Sequence, residues 1–341
     1  MDAKTAKRTA GLLAFWATVL ISLPLVGGFF GRLHPAFDSM AHFRVHLAVL
    51  LMLAALPLIL AHPFRRHGLL AAALGGAAIL TVTGTSFPLA LGPVQASYQP
   101  KDSLSPAYRL LQLNLLYDNP EPGKVLSLIG RMRPDVVTLN EVSPLWADKL
   151  ALLSSAYPHR TVCRIGNHAG GVAILSVRPF AEGTEGQCLE GGTFATATVD
   201  LGGRHVEVGA VHLHWPWPFS QSEQIDDMAH LLANTTETSI LAGDFNAAPW
   251  SAAATRIADA SGMTPVGPAG PTWIHLLLPE FLRFAGLPID HIFAKGDVII
   301  HSVATLEAVG SDHLPVLVEF SLKAAEPQAD DALTATAALV Q

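Results

Sequence analysis

The chain has 341 residues, of which 50% are hydrophobic and only 14% charged, with a formal net charge of −7. That length points to two units, and the apolar excess excludes both an ordinary soluble domain and a disordered chain. The charge is divided unevenly: residues before 101 carry 7 Lys and Arg against 2 Asp and Glu, or +5, and the rest 14 against 26, or −12. An acidic second part disfavours tight sequence-independent DNA binding, which rests on Lys and Arg neutralising phosphates.

The apolar excess is concentrated at the N-terminus. Residues 11–30, 45–64 and 69–100 contain no Asp, Glu, Lys or Arg, and each run is long enough to span ~30 Å of hydrocarbon as a helix. The Pro- and Gly-containing end of the third run is expected outside the bilayer. The first run is too long for a signal peptide and lacks a small-x-small cleavage site. Three transmembrane helices are therefore expected within residues 1–92. Lys4, Lys7 and Arg8 precede the first, and Arg65 and Arg66 separate the second from the third, which assigns both flanks to the cytoplasmic side despite Arg32 and Arg44 in the intervening loop. The chain then leaves a multi-pass inner-membrane region on its periplasmic or extracellular side. His34, His42, His46 and His62 read as interfacial polar residues. With no intramembrane acid or base, a transporter is poorly supported.

Residues 93–107 read as a linker, which reaches at most ~50 Å and keeps the next domain near the bilayer. Residues 108–323 alternate strand and helix. Strands are expected at 110–116 and 135–142 and helices at 123–132 and 144–155. Strands follow at 170–175, 193–201 and 205–214, with Gly202 and Gly203 as a hairpin turn. A helix at 220–233 precedes a strand from 239, and two more strands lie near 289–294 and 313–322. The class is α/β, with two packed β-sheets flanked by helices. Cys163 and Cys188 either pair across a sheet edge, as an oxidising compartment allows, or remain two buried thiols; no CxxC or zinc spacing is present. Residues 324–341 lack the apolar periodicity to pack and read as a disordered tail.

The domain is organised around SILAGDFNAAP, residues 239–249. A short apolar strand runs into Gly243, which permits close approach of a ligand, and then into Asp244 and Asn246 at the strand's carboxyl end. An Asx-type turn leading to a helix near Pro249 explains the same residues without chemistry. Similar polar residues recur elsewhere. Asn114 follows LLQL, Glu141 closes PDVVTLNE, His212 ends VGAVH, Asp290 opens DHIF, and Asp312 and His313 precede LPVLVEF. One such residue is an ordinary strand end; this recurrence reads as a site.

The motifs LLQLN, TLNEV, VHL, GDFN, IDHIF and SDHLP, in that order over residues 109–322, resemble the endonuclease/exonuclease/phosphatase family, the DNase I-like metal-dependent phosphoesterases. Membrane-anchored bacterial members have similar leaders. The resemblance implies a four-layer sandwich and phosphoester hydrolysis with Mg²⁺ or Mn²⁺ on hard oxygen ligands. It implies Glu141 as principal metal ligand with Asn114 and Asp312 beside it. Asp244 would orient or deprotonate the water, and Asn246 would hydrogen-bond a phosphate oxygen. His313 would contact the phosphate with its tautomer fixed by Asp290, and His212 would be a candidate general acid, with His214 as the competing assignment. Two positions depart from the pattern: Leu116 stands where some nucleases of the family carry an acid, and Pro288 and Ile289 replace an arginine often found before the Asp290-like residue. The alternatives are a periplasmic nuclease and a non-catalytic binding protein on the same scaffold; the second is disfavoured because every catalytic position found is filled. Two apolar stretches, residues 215–219 and 274–287, adjoin the site. They either pack into the core or face the membrane, and in the second case the substrate is a lipid or another membrane-derived phosphoester.

Overall fold

A basic start followed by a long apolar run forms helix α1 (Ala3–Gly27), which tightens into a 3-10 turn at Gly28–Phe30. The computed structural model describes residues 3–83, 95–97, 106–164, 170–267 and 270–323. Helix α2 (Pro35–His42) begins with Pro at its first position, and His34 Nδ1 accepts from Ala36 N at 3.1 Å as its cap. Helices α3 (Arg44–Leu60) and α4 (Arg65–Thr83) follow. Leu25, Ala48, Leu51 and Ala78 pack these helices together, the alanines allowing close approach, while Leu13, Leu20, Leu53, Leu60, Leu70 and Leu80 face outward.

Among the described residues one helical run, Thr9–Phe30, is long and apolar enough to cross a membrane. The expectation of three such helices is corrected on this point. The second run lies in α3, which a 67° bend separates from Pro35–His42; the two helices would qualify only taken together. It also ends at Ala61, leaving α3 with 17 residues. The 19 residues of α4 begin with Arg65, Arg66 and His67, which shortens its apolar part. Residues 84–94 of the expected third run lie outside the described residues.

The second unit begins with β1 (Gln95–Ser97), β2 (Tyr108–Asn114), α5 (Pro122–Met132), β3 (Val136–Val142), α6 (Pro144–Ala151), β4 (His159–Val162) and β5 (Gly171–Ser176). It continues with β6 (Gln187–Leu189), β7 (Phe194–Asp200), β8 (His205–His212), α7 (Gln221–Ala233), β9 (Ser239–Asp244) and α8 (Ala252–Ser261). The last strands are β10 (Thr264–Val266), β11 (Asp290–Lys295), β12 (Val298–Thr305) and β13 (Val316–Leu322). They form two sheets, in the orders β1-β12-β13-β2-β3-β5-β4 and β10-β11-β9-β8-β7-β6. One apolar cluster, including Leu110, Ile174, Val208 and Ile240, fills the space between the sheets. A second packs α5 and α6 on the outer face of the first sheet, and a third packs α7 and α8 on the second. The layers are therefore helix, sheet, sheet, helix, and strands covered on both faces explain the near-continuous apolar runs.

Cys163, just after β4, and Cys188 in β6 form a disulfide that joins the edge strands of the two sheets. Five strands escaped the sequence reading: β1, β4, β6 and β10 are too short to show a period, and β12 is broken by a bulge at Ile300/Ser302. Part of the expected linker, Gln95–Ser97, is an edge strand paired with β12. The expected tail lies outside the described residues.

Candidate active site

The site is built where the parallel pairs of the two sheets end together. Asn114 stands opposite Asn140 in the β2/β3 pair, and His212 opposite Asp244 in the β8/β9 pair. A buried polar chain stitches these ends from below. Thr138 Oγ1 donates to Gln112 Oε1 at 2.7 Å, and Gln112 Nε2 to Asn140 Oδ1 at 2.6 Å. Asn140 Nδ2 then donates to Val211 O at 2.7 Å across the sheets, and its Oδ1 accepts from Asp244 N at 3.0 Å. A Cβ on Gly243 would lie 1.9 Å from Val211 O. Gly243 therefore serves the approach of β9 to β8, and not, as expected, that of a ligand.

Asp244 is the centre. Its Oδ2 accepts from Asn114 Nδ2 at 3.0 Å and lies 3.7 Å from His212 Nε2 and 3.6 Å from His313 Nε2. Its Oδ1 accepts from Asn246 N at 2.8 Å, an Asx turn that leads on to α8. The Asx-turn reading of GDFN therefore holds. His313 Nδ1 is bonded to Asp290 Oδ2 at 2.7 Å, and the ligand atoms of Asp244, Asp290 and His313 all lie within 4.8 Å of one another. At the front, Glu141 accepts from Asn114 Nδ2 at 3.0 Å and from Tyr117 N at 2.9 Å, while Asp312 Oδ2 accepts from Trp273 Nε1 at 2.8 Å. Leu116, Glu141 and Asn246 all have positive φ, of 58°, 58° and 46°. Such backbone costs ~1–3 kcal/mol per residue and persists only where the surroundings over-determine it.

Burial and charge divide the titrating groups. Burial alone would keep His313 neutral, but Asp290 and Asp244 outweigh it and raise its pKa to about 10. Burial alone would likewise raise Asp290, yet the His313 charge and hydrogen bonds hold it below the usual carboxylate value. Burial lifts Asp244 to about 7 against the opposing pull of His313. Burial lowers His212 to about 4, and the charge of His313 adds to this. Burial also raises Glu141, with hydrogen bonds from Asn114 and Tyr117 opposing and Asp312 reinforcing.

Several expected roles change with this geometry. Asn114 does not present its oxygen outward: Oδ1 accepts from Leu116 N at 3.0 Å, and the amide nitrogen bridges Glu141 and Asp244. Asn246 donates Nδ2 to Leu213 O at 2.8 Å and leaves a buried, unpartnered Oδ1, which suits a donor such as water better than a phosphate oxygen. His212 faces Asp244, whereas His214 is bonded to Ser220 Oγ at 2.7 Å. His42 and His46 are not lipid-facing: His42 is buried against Asp38, and His46 Nε2 is bonded to Ala285 O at 2.6 Å. Sequence reasoning passed over Gln112, Asn140, Thr272 and Trp273. Gln112 and Asn140 were detectable as polar residues inside apolar strands; Thr272 and Trp273 sit in a loop with no periodic signal. Arg283 Nη1 donates to Asp312 O at 3.0 Å, bringing a guanidinium to the corner where Pro288 and Ile289 left none, though Glu280 already pairs with it.

The two apolar stretches beside the site are largely in the open, although Ile274 and Leu287 at the ends of the second are buried. Leu277 is 87% exposed, Phe281 75% and Phe219 63%, and Trp215 stacks edge-on against Trp273, whose indole holds Asp312. Both stretches touch the N-terminal helices: Ser39 Oγ donates to Trp217 O at 2.9 Å, and Ala285 O is the partner of His46.

A layered pair of sheets with acids, amides and histidines gathered at adjoining strand ends defines a family. The model described as the Endonuclease/Exonuclease/phosphatase family matches residues 111–313, more than half of the 341, and the chain belongs to that family. The solved endonuclease/exonuclease/phosphatase from Beutenbergia cavernae DSM 12333 is similar at 22% identity and a TM-score of 0.51, covering 64% of this chain and 72% of that one. The human Nocturnin catalytic domain with a bound sulfate anion is similar at 20% identity and a TM-score of 0.52, covering 68% and 98%. D. rerio TDP2 complexed with a single strand DNA product is similar at 18% identity and a TM-score of 0.52, covering 64% and 100%. At these identities the likeness is one of fold. No curated protein sequence gives a match.

Proposed function

We propose that the protein is a metal-dependent phosphoester hydrolase anchored in the membrane by α1, with its site turned toward the bilayer and phosphoesters of lipid origin as substrates. The observation that carries the hydrolase reading is the convergence of Glu141, Asp244, His212 and the His313–Asp290 pair at strand ends of both sheets, with positive-φ backbone at Glu141 and Asn246.

The donor set fits a hard divalent cation. Glu141, Asp312, Asp244 and Asp290 face one protonated histidine, and among the described residues no Lys or Arg forms an ion pair with any of the four carboxylates. Glu141 and Asp312 would hold Mg²⁺ or Mn²⁺, which supplies positive charge to the phosphate and leaving oxygens. The chain's own groups do the rest. Asp244, with a pKa near 7, takes a proton from the attacking water, and the unpartnered Asn246 Oδ1 accepts that water's other hydrogen. His313, kept charged by Asp290, directs Nε2 at a phosphate oxygen; His212, neutral at pH 7, is a hydrogen-bond partner in place of the expected general acid.

The lipid reading is supported by the exposed apolar stretches around the site and by their hydrogen bonds to the segment that follows α1. Trp, Phe and Leu at that level suit the headgroup boundary. Lys4, Lys7 and Arg8 in the first turns of α1, ahead of its apolar span, favour a cytoplasmic N-terminus, so one span delivers the domain to the far side, where a Cys163–Cys188 disulfide is chemically at home. The −12 charge after residue 100 weighs against a nuclease acting on duplex DNA. The test is hydrolysis of bis-p-nitrophenyl phosphate by the full-length protein, with activity expected to appear with Mg²⁺ and vanish with chelator. Folded protein inactive on that substrate and on phospholipids, nucleotides and inositol phosphates at every metal would leave the binding-protein alternative.

A further inference from the structure

The segment between the membrane-crossing run and α3 buries Asp38 and His42 against the catalytic domain. The Asp38 carboxylate accepts from Ala252 N at 2.6 Å and from Ala253 N at 2.8 Å. An acid from a distant helix thus satisfies the first free N–H groups of α8, at the positive end of its dipole. The helix's own cap, Ser251 Oγ, takes only Ala254 N, at 3.1 Å.

Residues 245–250, the continuation of β9 past Asp244, lie against the same helix. Trp250 Nε1 donates to Ala41 O at 2.7 Å. His42, whose Nδ1 is bonded to Asp38 O at 2.7 Å, turns a buried and unpartnered Nε2 toward the Asn246 backbone. From β11, His291, next to Asp290, is bonded through Nε2 to Ala247 O at 2.6 Å. The loop carrying Asn246 is therefore held by both β11 and α2.

We infer that α2 is a positioning element of the active site, with Asp38 as its principal positioning residue. Asn246 sits at a φ of 46°, which only a constraining environment maintains, and its N–H bonds Asp244 Oδ1 at 2.8 Å. A shift of the loop is passed directly to the Asp244 carboxylate. Assembly of the site is thereby tied to the segment that leaves the membrane, an inference that rests on the hydrolase reading for its effect on turnover but not for the grip itself.

The test uses the full-length protein in detergent micelles and three variants: Asp38→Ala, Asp38→Asn and Ser251→Ala, the last removing a cap of the same helix without touching α2. Below every variant's melting midpoint, Asp38→Ala is expected to lower kcat on bis-p-nitrophenyl phosphate by about 10- to 100-fold with KM changed less than about 2-fold. Asp38→Asn keeps one acceptor oxygen and should recover part of the loss, while Ser251→Ala should lower the melting temperature yet keep kcat. Amide hydrogen exchange across residues 245–250 should rise in Asp38→Ala and not in Ser251→Ala. Equal kcat losses in Asp38→Ala and Ser251→Ala, or unchanged exchange at 245–250 in Asp38→Ala, would overturn the inference. If the wild type hydrolyses no phosphoester, the proposed function fails, and the exchange measurement alone decides whether α2 holds the loop.

Discussion

In the N-terminal helices the outward residues are Leu and Trp and the packed ones Ala and Leu, so apolar side chains lie on every face. In the two-sheet domain the strands are just as apolar along most of their length, but polar groups gather at one end and beneath it. The first arrangement suits a lipid surround, where nothing outside needs a hydrogen bond. The second suits a protein core that must hold a few charges fixed at a mouth. The helical region departs from its pattern at Asp38, His42 and Arg44, where it meets the catalytic loops. A buried polar group in an apolar setting marked a junction or a site in both regions.

The comparison breaks most sharply at the acids. Glu141→Ala and Asp244→Ala should each lower turnover by at least about 1,000-fold, with a cooperative melt retained by circular dichroism. Near wild-type activity in either at saturating Mg²⁺ would remove that acid from the site.

Asp290→Asn comes next, with an expected loss of about 100- to 10,000-fold in kcat, because His313 loses the partner that fixes its charge and orientation. The same pair predicts a pH effect on the stability of chelator-treated protein. His313 has a raised pKa, so its contribution is fully present below its ordinary 6.5 and is lost as pH rises through about 10. Asp290 has a lowered pKa, so its contribution is present above its ordinary 3.8 and is lost as pH falls through the depressed value. The stability gap between wild type and Asp290→Asn should thus be widest between these limits and close toward pH 10. A gap independent of pH in denaturant titrations would show that the pair is not charged in the folded protein.

A smaller effect is expected at the sheet edges. Cys163→Ala/Cys188→Ala should cost about 3.5 kcal/mol, the loop-closure value for the 25-residue separation, with activity below the melting point unchanged. Thiol labelling of the native wild type before reduction would contradict the bond.

The strand ends of the candidate site were legible in the sequence because each pairs an apolar run with an abrupt acid, amide or histidine. Strand-end position survives even when boundaries shift by a residue or two, as β3 and β11 did. The network beneath them was not legible, since Gln112 and Asn140 become partners only once the two sheets face each other. The span count failed for a local reason: hydropathy runs do not register the 67° bend before α3 or the Arg65–Arg66 start of α4. Asp38 and His42 were hidden by their neighbours, because a short polar segment between apolar runs looks like a loop until the domain is seen packed on it.

The central claim is that the catalytic mouth and the membrane-facing surface are one structure, and it is tested most directly by a ratio of rates. Full-length wild type and Trp217→Ser/Leu277→Ser are compared on phospholipid presented in vesicles and on soluble bis-p-nitrophenyl phosphate. Removing an indole and an isobutyl group that are 51% and 87% exposed costs little in folding. The account predicts vesicle turnover reduced by about 10-fold or more, from lost apolar contact with the interface, and soluble turnover unchanged within about 2-fold. Equal losses on both substrates would contradict it and assign these side chains to packing.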